Sequence, residues 1–152
     1  MGARRKGREL AVQALYQIDV HGESSAEALR LFWEHSDAGS GAKKFGAALV
    51  AGVAEQRQRI DALIAEACEH WRLERLSPVD LNVLRIATFE LLHTPSLPTS
   101  VVLDEAIEIA RRFGTGDSSA FVNGVLDEIA ARLGLKVASP EPAAARGGRD
   151  DG

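Results

Sequence analysis

The sequence predicts an all-α protein of about six or seven helices. Three observations carry that expectation. Apolar residues recur at three- and four-residue spacing through most of residues 4–134, which is the period of a helix face. No useful length alternates with period two, and the Asn123-Gly124 pair lies inside a helical pattern rather than between β-branched runs. The interruptions carry helix start and stop chemistry, clearest at Ser77-Pro78 and Gly134.

In chain order, residues 4–20 place Leu10, Ala11, Ala14, Leu15 and Ile18 on one stripe, as in a helix packed on a core. Gly22, Ser24 and Ser25 interrupt the pattern before a short helix over 26–33, anchored by Leu29, Phe32 and Trp33. Residues 36–41 read as a loop. Helical spacing resumes at Phe45, Leu49 and Val53 and runs through Ile60, Leu63, Ile64 and Ala67 to Trp71, as one long helix or two joined by a break. Ser77-Pro78-Val79-Asp80 then opens a helix, with Ser as N-cap, Pro at the first helical position and an acid able to return a hydrogen bond. Its residues Leu81, Val83, Leu84, Ile86, Ala87, Phe89, Leu91 and Leu92 leave only narrow polar strips, as expected of a central helix surrounded by others.

Thr94-Pro95 and Leu97-Pro98 end that helix, because proline disfavours a helical residue before it and cannot continue the ladder. From about Ser100 a further helix buries Val102, Ala106, Ile109, Ala110 and Phe113, and Gly114 and Gly116 supply a terminator able to take positive φ. The last helix starts at Asp117-Ser118, buries Val122, Val125, Leu126, Ile129 and Leu133, and stops at Gly134. Residues 1–136 therefore form one domain. Residues 137–152, rich in Pro, Ala, Gly and charge, have almost nothing to bury and are expected to be disordered.

A chain of 152 residues buries one core of ordinary size rather than two. The lone cysteine, Cys68, excludes an internal disulfide framework and a multi-cysteine metal site, and its place in an apolar stripe reads as a small buried hydrophobe. No stretch approaches the roughly 18 apolar residues of a membrane span, and the basic N-terminus leads into an amphipathic helix rather than a signal-peptide core, so no membrane association and a cytoplasmic location are expected. The net charge of −4 hides an asymmetry. Arg4, Arg5, Lys6 and Arg8 are four cations with no acid among the first eight residues, and removing them leaves −8 on the rest. The protein reads as an acidic body with a basic arm.

Catalytic chemistry is hard to build from what remains. His21, His35, His70 and His93 are scattered near helix ends, where a cation suits the dipole, and make no close ligand pair. Asp104-Glu105 and Asp127-Glu128 are adjacent acids about 100° apart on a helix, which reads as solvated surface rather than a dyad. Gly114-Thr115-Gly116 lacks the preceding strand, third glycine and lysine of a phosphate cradle. Neither a cofactor nor a metal is expected, and the protein reads as a binding module, not an enzyme.

The arm is different, because cations on a helix can track a phosphate backbone and release its counterions. At 100° per residue Val12 and Tyr16 each fall about 20° from Arg5, with Glu9 just beyond and Arg8 on the flank nearer the core. A tyrosine that shares a face with arginine could stack a base while guanidinium groups hold phosphates, a mode suited to single-stranded RNA. Cations at a helix N-terminus also oppose the macrodipole, a small penalty that a bound phosphate reverses.

Read together, these segments resemble the NusB family of bacterial transcription antitermination factors. The run Arg4-Arg5-Lys6-Gly7-Arg8-Glu9-Leu10-Ala11-Val12-Gln13-Ala14-Leu15-Tyr16-Gln17 is similar to the family's arginine-rich first helix with its Ala-Leu-Tyr signature. Trp71 to Arg75, Val79-Asp80, Val83-Leu84-Arg85-Ile86-Ala87 and Phe89-Glu90-Leu91-Leu92 resemble its central helix. Pro98, Val101 to Ala106, Phe113-Gly114, Asp117-Ser118 and Phe121 to Asp127 resemble its C-terminal block.

The resemblance implies two small perpendicular helical bundles sharing one core. It implies pairing with the small-subunit ribosomal protein called NusE, joint binding of boxA RNA, and suppression of premature termination on ribosomal RNA operons within an RNA polymerase antitermination complex. By position it assigns RNA contact to Arg4, Arg5, Lys6, Arg8, Gln13, Tyr16, Asp117 and Phe121, and the NusE-facing side to Glu74 and Asp80. Asn123, inside a helix, reads as bonding a neighbouring backbone carbonyl, and Arg85, in a greasy helix, as pairing with a nearby acid. Two other readings start from the same helices: a stand-alone protein-binding scaffold or homodimer without RNA function, and an accessory domain for an RNA cytosine methyltransferase.

Overall fold

A computed structural model describes residues 2–21, 26–69 and 72–135. Gly22, Ser24, Ser25, His70, Trp71 and the tail 137–152 lie outside them. The described residues form α1 (Ala3–His21), α2 (Ala26–His35), α3 (Ser40–Glu55), α4 (Arg57–Ala67), a 3₁₀ turn (Leu73–Arg75), α5 (Pro78–His93), α6 (Thr99–Phe113) and α7 (Ser118–Arg132), with no strand among them. None of these helices is long and apolar enough to cross a membrane.

The expected central helix is α5. Every residue from Leu81 to Thr88 is buried, so the helix is enclosed on all sides. It packs with α1 and α3 in one group and with α4, α6 and α7 in the other, and so belongs to both. The polar strips that the sequence leaves on it also point inward. Asn82 Nδ2 donates to the Pro78 carbonyl at 2.8 Å and to Asp19 at 3.0 Å, and Arg85 donates to Asp19 at 2.7 Å and to Asp61 at 2.8 and 3.0 Å. Arg85 thus pairs with acids, as expected, and ties α5 to α1 and α4. A buried guanidinium needs such partners because its desolvation is otherwise uncompensated.

Local chemistry sets the helix ends, with some departures from expectation. Ser77 Oγ accepts the Asp80 N–H at 3.1 Å, but Asp80 returns no bond, and its Oδ1 is buried without a protein partner. The capping box therefore closes in one direction only. α3 and α4 are two helices, separated at Gln56 (φ −106°, ψ 17°). α3 also begins at Ser40, inside the segment read as a loop, because its polar first turn lies against the start of α1. Gly114 is not at positive φ. It is needed because a Cβ there would collide with the Ser118 side chain, whose Oγ accepts the Thr115 N–H at 2.9 Å. Gly134 does take φ 75°. Its N–H reaches the Ala131 carbonyl at 3.0 Å and that of Leu135 reaches Ala130 at 2.9 Å, a Schellman closure of α7.

Cys68 is buried, and burial pushes its thiol pKa up, so it stays a protonated small hydrophobe. Asn123 is exposed on α7, with no hydrogen bond to a carbonyl among the described residues. The buried side of α7 is otherwise the expected one, with Val122, Val125, Leu126 and Ile129 buried and Leu133 half-buried.

Candidate nucleic-acid interface

The arm folds as the first two turns of α1, and what encloses it decides which cations are free. Gly7 lies directly on α3: a Cβ there would sit 2.8 Å from both the Ala42 carbonyl oxygen and the Phe45 ring. The next flank faces α5, where Arg8 is 5% exposed and donates to Glu90 through Nε at 2.8 Å and Nη2 at 3.0 Å. Beyond that lies α6. Arg5 forks onto Glu105 at 2.9 and 3.0 Å, and Glu9, itself buried, accepts from Arg112 at 3.1 Å.

The face expected to be open, Arg5 with Val12 and Tyr16, is therefore the face turned to α6, and Val12 is buried. Only Tyr16, toward the end of the helix, emerges at 39% exposure. The open stripe is rotated by about 100° and carries Lys6, Gln13 and Gln17. Arg8 departs furthest from expectation, since its guanidinium is inside the molecule and both donor arms are engaged by Glu90. Arg5 is half-buried, with its fork occupied. Arg4 and Lys6 remain exposed and without an ion pair among the described residues, the Arg4 guanidinium lying 5.2 Å from the Phe45 ring centroid.

Two clefts border this stripe. One, of about 680 Å³, is an open groove between α1 and α2 lined by Lys6, Leu10, Gln13, Gln17, Phe32 and His35 among others. The second, about 390 Å³, is lined by Val12, Gln13, Tyr16, Gln17, Phe32, Val79 and Phe113. Gln13, Gln17 and Phe32 belong to both, so the two clefts adjoin. Asp117 is exposed just before α7, and half-buried Phe121 stands one turn into it. That helix reaches the arm through α6, which packs on α7 and forms the ion pairs with α1. Glu74 is exposed in the 3₁₀ turn, and Asp80 stands half-buried at the start of α5 beside Val79 of the second cleft.

Sequence reasoning missed Glu90 and Glu105, reading the latter as solvated surface. A carboxylate inside a run of buried residues, as Glu90 is between Phe89 and Leu91, signals a cation partner elsewhere in the chain. The Arg5 fork holds the Glu105 carboxyl below the usual carboxylate range. With the folded pKa depressed, the stabilisation is present above the unfolded value of about 4.3 and disappears as pH falls through the folded one. The Glu105→Gln variant is accordingly expected to flatten the acid limb of the stability-versus-pH curve below about pH 4.5, measured by urea unfolding. No cluster of His, Cys, Asp and Glu fit to hold a metal occurs among the described residues.

Comparison with known proteins accounts for this arrangement. The model of the NusB family matches residues 5–131. The transcription antitermination protein NusB of Geobacter sulfurreducens is 48% identical over 134 residues, covering 88% of this chain and 97% of the relative. That of Sorangium cellulosum is 44% identical over 134 residues, covering 88% and 96%. Among solved structures, Thermotoga maritima NusB superposes with a TM-score of 0.76 at 42% identity, over 84% of this chain and 90% of that one. A chain from a crystal structure of antitermination factors NusB and NusE in complex with dsRNA superposes with a TM-score of 0.77 at 26% identity, over 87% and 98%. Both of these curated relatives are transcription antitermination proteins. A match across nearly the whole described fold, with relatives this similar over almost their full length, establishes that the chain belongs to the NusB family.

Proposed function

We propose that this protein is a transcription antitermination factor that binds boxA RNA of ribosomal RNA operon transcripts together with the ribosomal protein NusE. It acts in the cytoplasm, within an antitermination complex on RNA polymerase, to prevent premature termination. The observation that carries the reading is the exposed start of α1, where Arg4 and Lys6 hold no ion pair among the described residues and Gln13 and Tyr16 line the clefts further along, in a chain whose relatives are antitermination proteins. The dsRNA and NusE in the structure of a similar chain support it further.

Arg4 and Lys6 hold phosphates, with the outer edge of Arg5 beside them, while Gln13 and Tyr16 meet bases at the two clefts. Asp117 and Phe121 add a second contact on α7. Arg8 acts through the fold, by positioning α1. Exposed Glu74 and the accessible edge of half-buried Asp80 face the basic partner.

Titration of fluorescent boxA RNA tests this. Arg4→Ala with Lys6→Ala removes two phosphate contacts, which is expected to lower affinity on the order of tenfold at ~0.15 M salt and to reduce the salt slope by about 1.4. The melting temperature should change little, because neither side chain holds an ion pair among the described residues and the lost contact of Arg4 with Phe45 is offset by relief of cations that oppose the helix dipole. RNA binding with unchanged affinity and slope would refute the assignment.

A further inference from the structure

Arg4 and Lys6 are not alone at their end of the molecule. α1 and α3 lie side by side in parallel from their first turns: a Cβ on Gly41 would lie 4.0 Å from that of Ala3, and Gly7 rests against Ala42, Phe45 and Gly46. The early turns of α3 carry Lys43, half-buried, and Lys44, exposed. None of Arg4, Lys6, Lys43 and Lys44 carries an ion pair among the described residues, whereas Arg5 and Arg8 between them are both neutralised by α5 and α6 carboxylates. Four uncompensated cations therefore gather at one end of a chain with a net charge of −4.

That gathering has a price without a ligand. Like charges repel, and each pair also opposes the dipole of its own helix. Helices packed through ordinary side chains sit about 8–10 Å apart, and the contact of Gly7 with Gly46 brings these two closer. Arg4 and Lys6 lie about 160° apart on α1 and Lys43 and Lys44 about 100° apart on α3, so one strand meets all four by wrapping over the common end of the two helices.

We propose that Lys43 and Lys44 extend the RNA site onto α3, gripping backbone phosphates of nucleotides next to those held by Arg4 and Lys6. The inference rests on the RNA-binding reading above and adds a second helix to it. Lysine is a point charge that reads phosphate and not base identity. The α3 contact thus lengthens the footprint and strengthens binding without sharpening sequence preference.

The test uses the full chain and two fluorescent single-stranded RNAs, one with boxA between flanking nucleotides and one scrambled. Lys43→Gln with Lys44→Gln is expected to weaken binding on the order of tenfold at ~0.15 M salt and to reduce the salt slope by about 1.4, by the same factor on both RNAs. Arg59→Gln with Arg72→Gln serves as the control for net charge. Arg59 begins α4 beside Arg57, whose guanidinium contacts Asp19 near the end of α1, and Arg72 precedes α5, whose first turns hold that same Asp19 through Asn82. The control pair therefore lies toward the far end of α3 from Lys43, roughly 20 Å along its axis, and should bind as wild type. Wild-type affinity and slope in the lysine variant, alongside weakened binding by the Arg4 and Lys6 variant, would overturn the α3 contact and leave the function standing. Equal loss in the control pair would also overturn it, by showing diffuse charge rather than a site. Failure of the wild-type chain to bind either RNA, alone or with NusE, would overturn the functional reading and this inference with it.

Discussion

Arg8→Ala is expected to destabilise the protein by about 3–5 kcal/mol, the range found when one partner of a buried ion pair is removed. The Arg8 and Glu90 side chains are 6% and 4% exposed, and their two bonds at 2.8 and 3.0 Å form a parallel fork. Truncating the arginine leaves a carboxylate in the core without its partner, and the Glu105 side of the network is already committed to Arg5. Replacing both residues with methionine is a different experiment, because a well-packed apolar pair of similar volume removes two desolvation penalties together. Arg8→Met with Glu90→Met should return to within about 1 kcal/mol of wild type, read by urea unfolding. The double variant also isolates the part of Arg8 in RNA binding. With Arg4 and Lys6 intact, its affinity for boxA RNA should stay within about threefold of wild type, less than the loss of one phosphate contact at ordinary salt. A tenfold loss in that stable double variant would return Arg8 to the phosphate-binding set.

The helices and most of the core were legible in the sequence because both follow from periodicity. Leu10, Ala14, Leu84, Val102, Leu126 and Ile129 are buried where the three- and four-residue spacing places them. The rotation of α1 was not legible, and the reason is physical. A helical stripe identifies the most apolar face, but α1 is enclosed on three flanks, and two of the enclosing contacts use residues that do not look apolar. Gly7 is buried because α3 approaches its backbone, and Arg8 and Glu9 because their partners Glu90 and Arg112 lie 82 and 103 residues away. Nothing local distinguishes Arg8 from Arg4. The same limit hid the start of α3: Ser40 to Lys44 has a weak apolar pattern, and its helix is held by contact with Ala3 and Gly7. The candidate site was thus legible as a set of residue types on the first helix, while the choice of free cations needed the tertiary ion pairs.

Gly46→Ala is expected to destabilise the fold by a net of about 2 kcal/mol, although alanine is the better helix former by about 1 kcal/mol. The sign depends on what the added methyl meets. It would lie 2.7 Å from the Gly7 carbonyl oxygen and 3.2 Å from the Trp33 ring, and the nearer atom is backbone within α1, which cannot rotate away as a side chain would. Relief requires α1 and α3 to separate, and overpacking of this kind costs about 1–3 kcal/mol, occasionally more. Gly124 supplies the opposite case inside another helix, with nothing within 4 Å of a Cβ built on it. Gly124→Ala should gain the propensity term without a clash and stabilise by about 0.5–1 kcal/mol. For a domain of this size the two melting temperatures should differ by about 5–12 °C, with Gly46→Ala below wild type and Gly124→Ala above it. Because the Gly7–Gly46 crossing also holds the cation-bearing ends of α1 and α3 together, Gly46→Ala should weaken RNA binding at temperatures well below its melting transition. Equal stabilisation by both alanines would show that the helices have room at the crossing, and that their close approach does not position the arm.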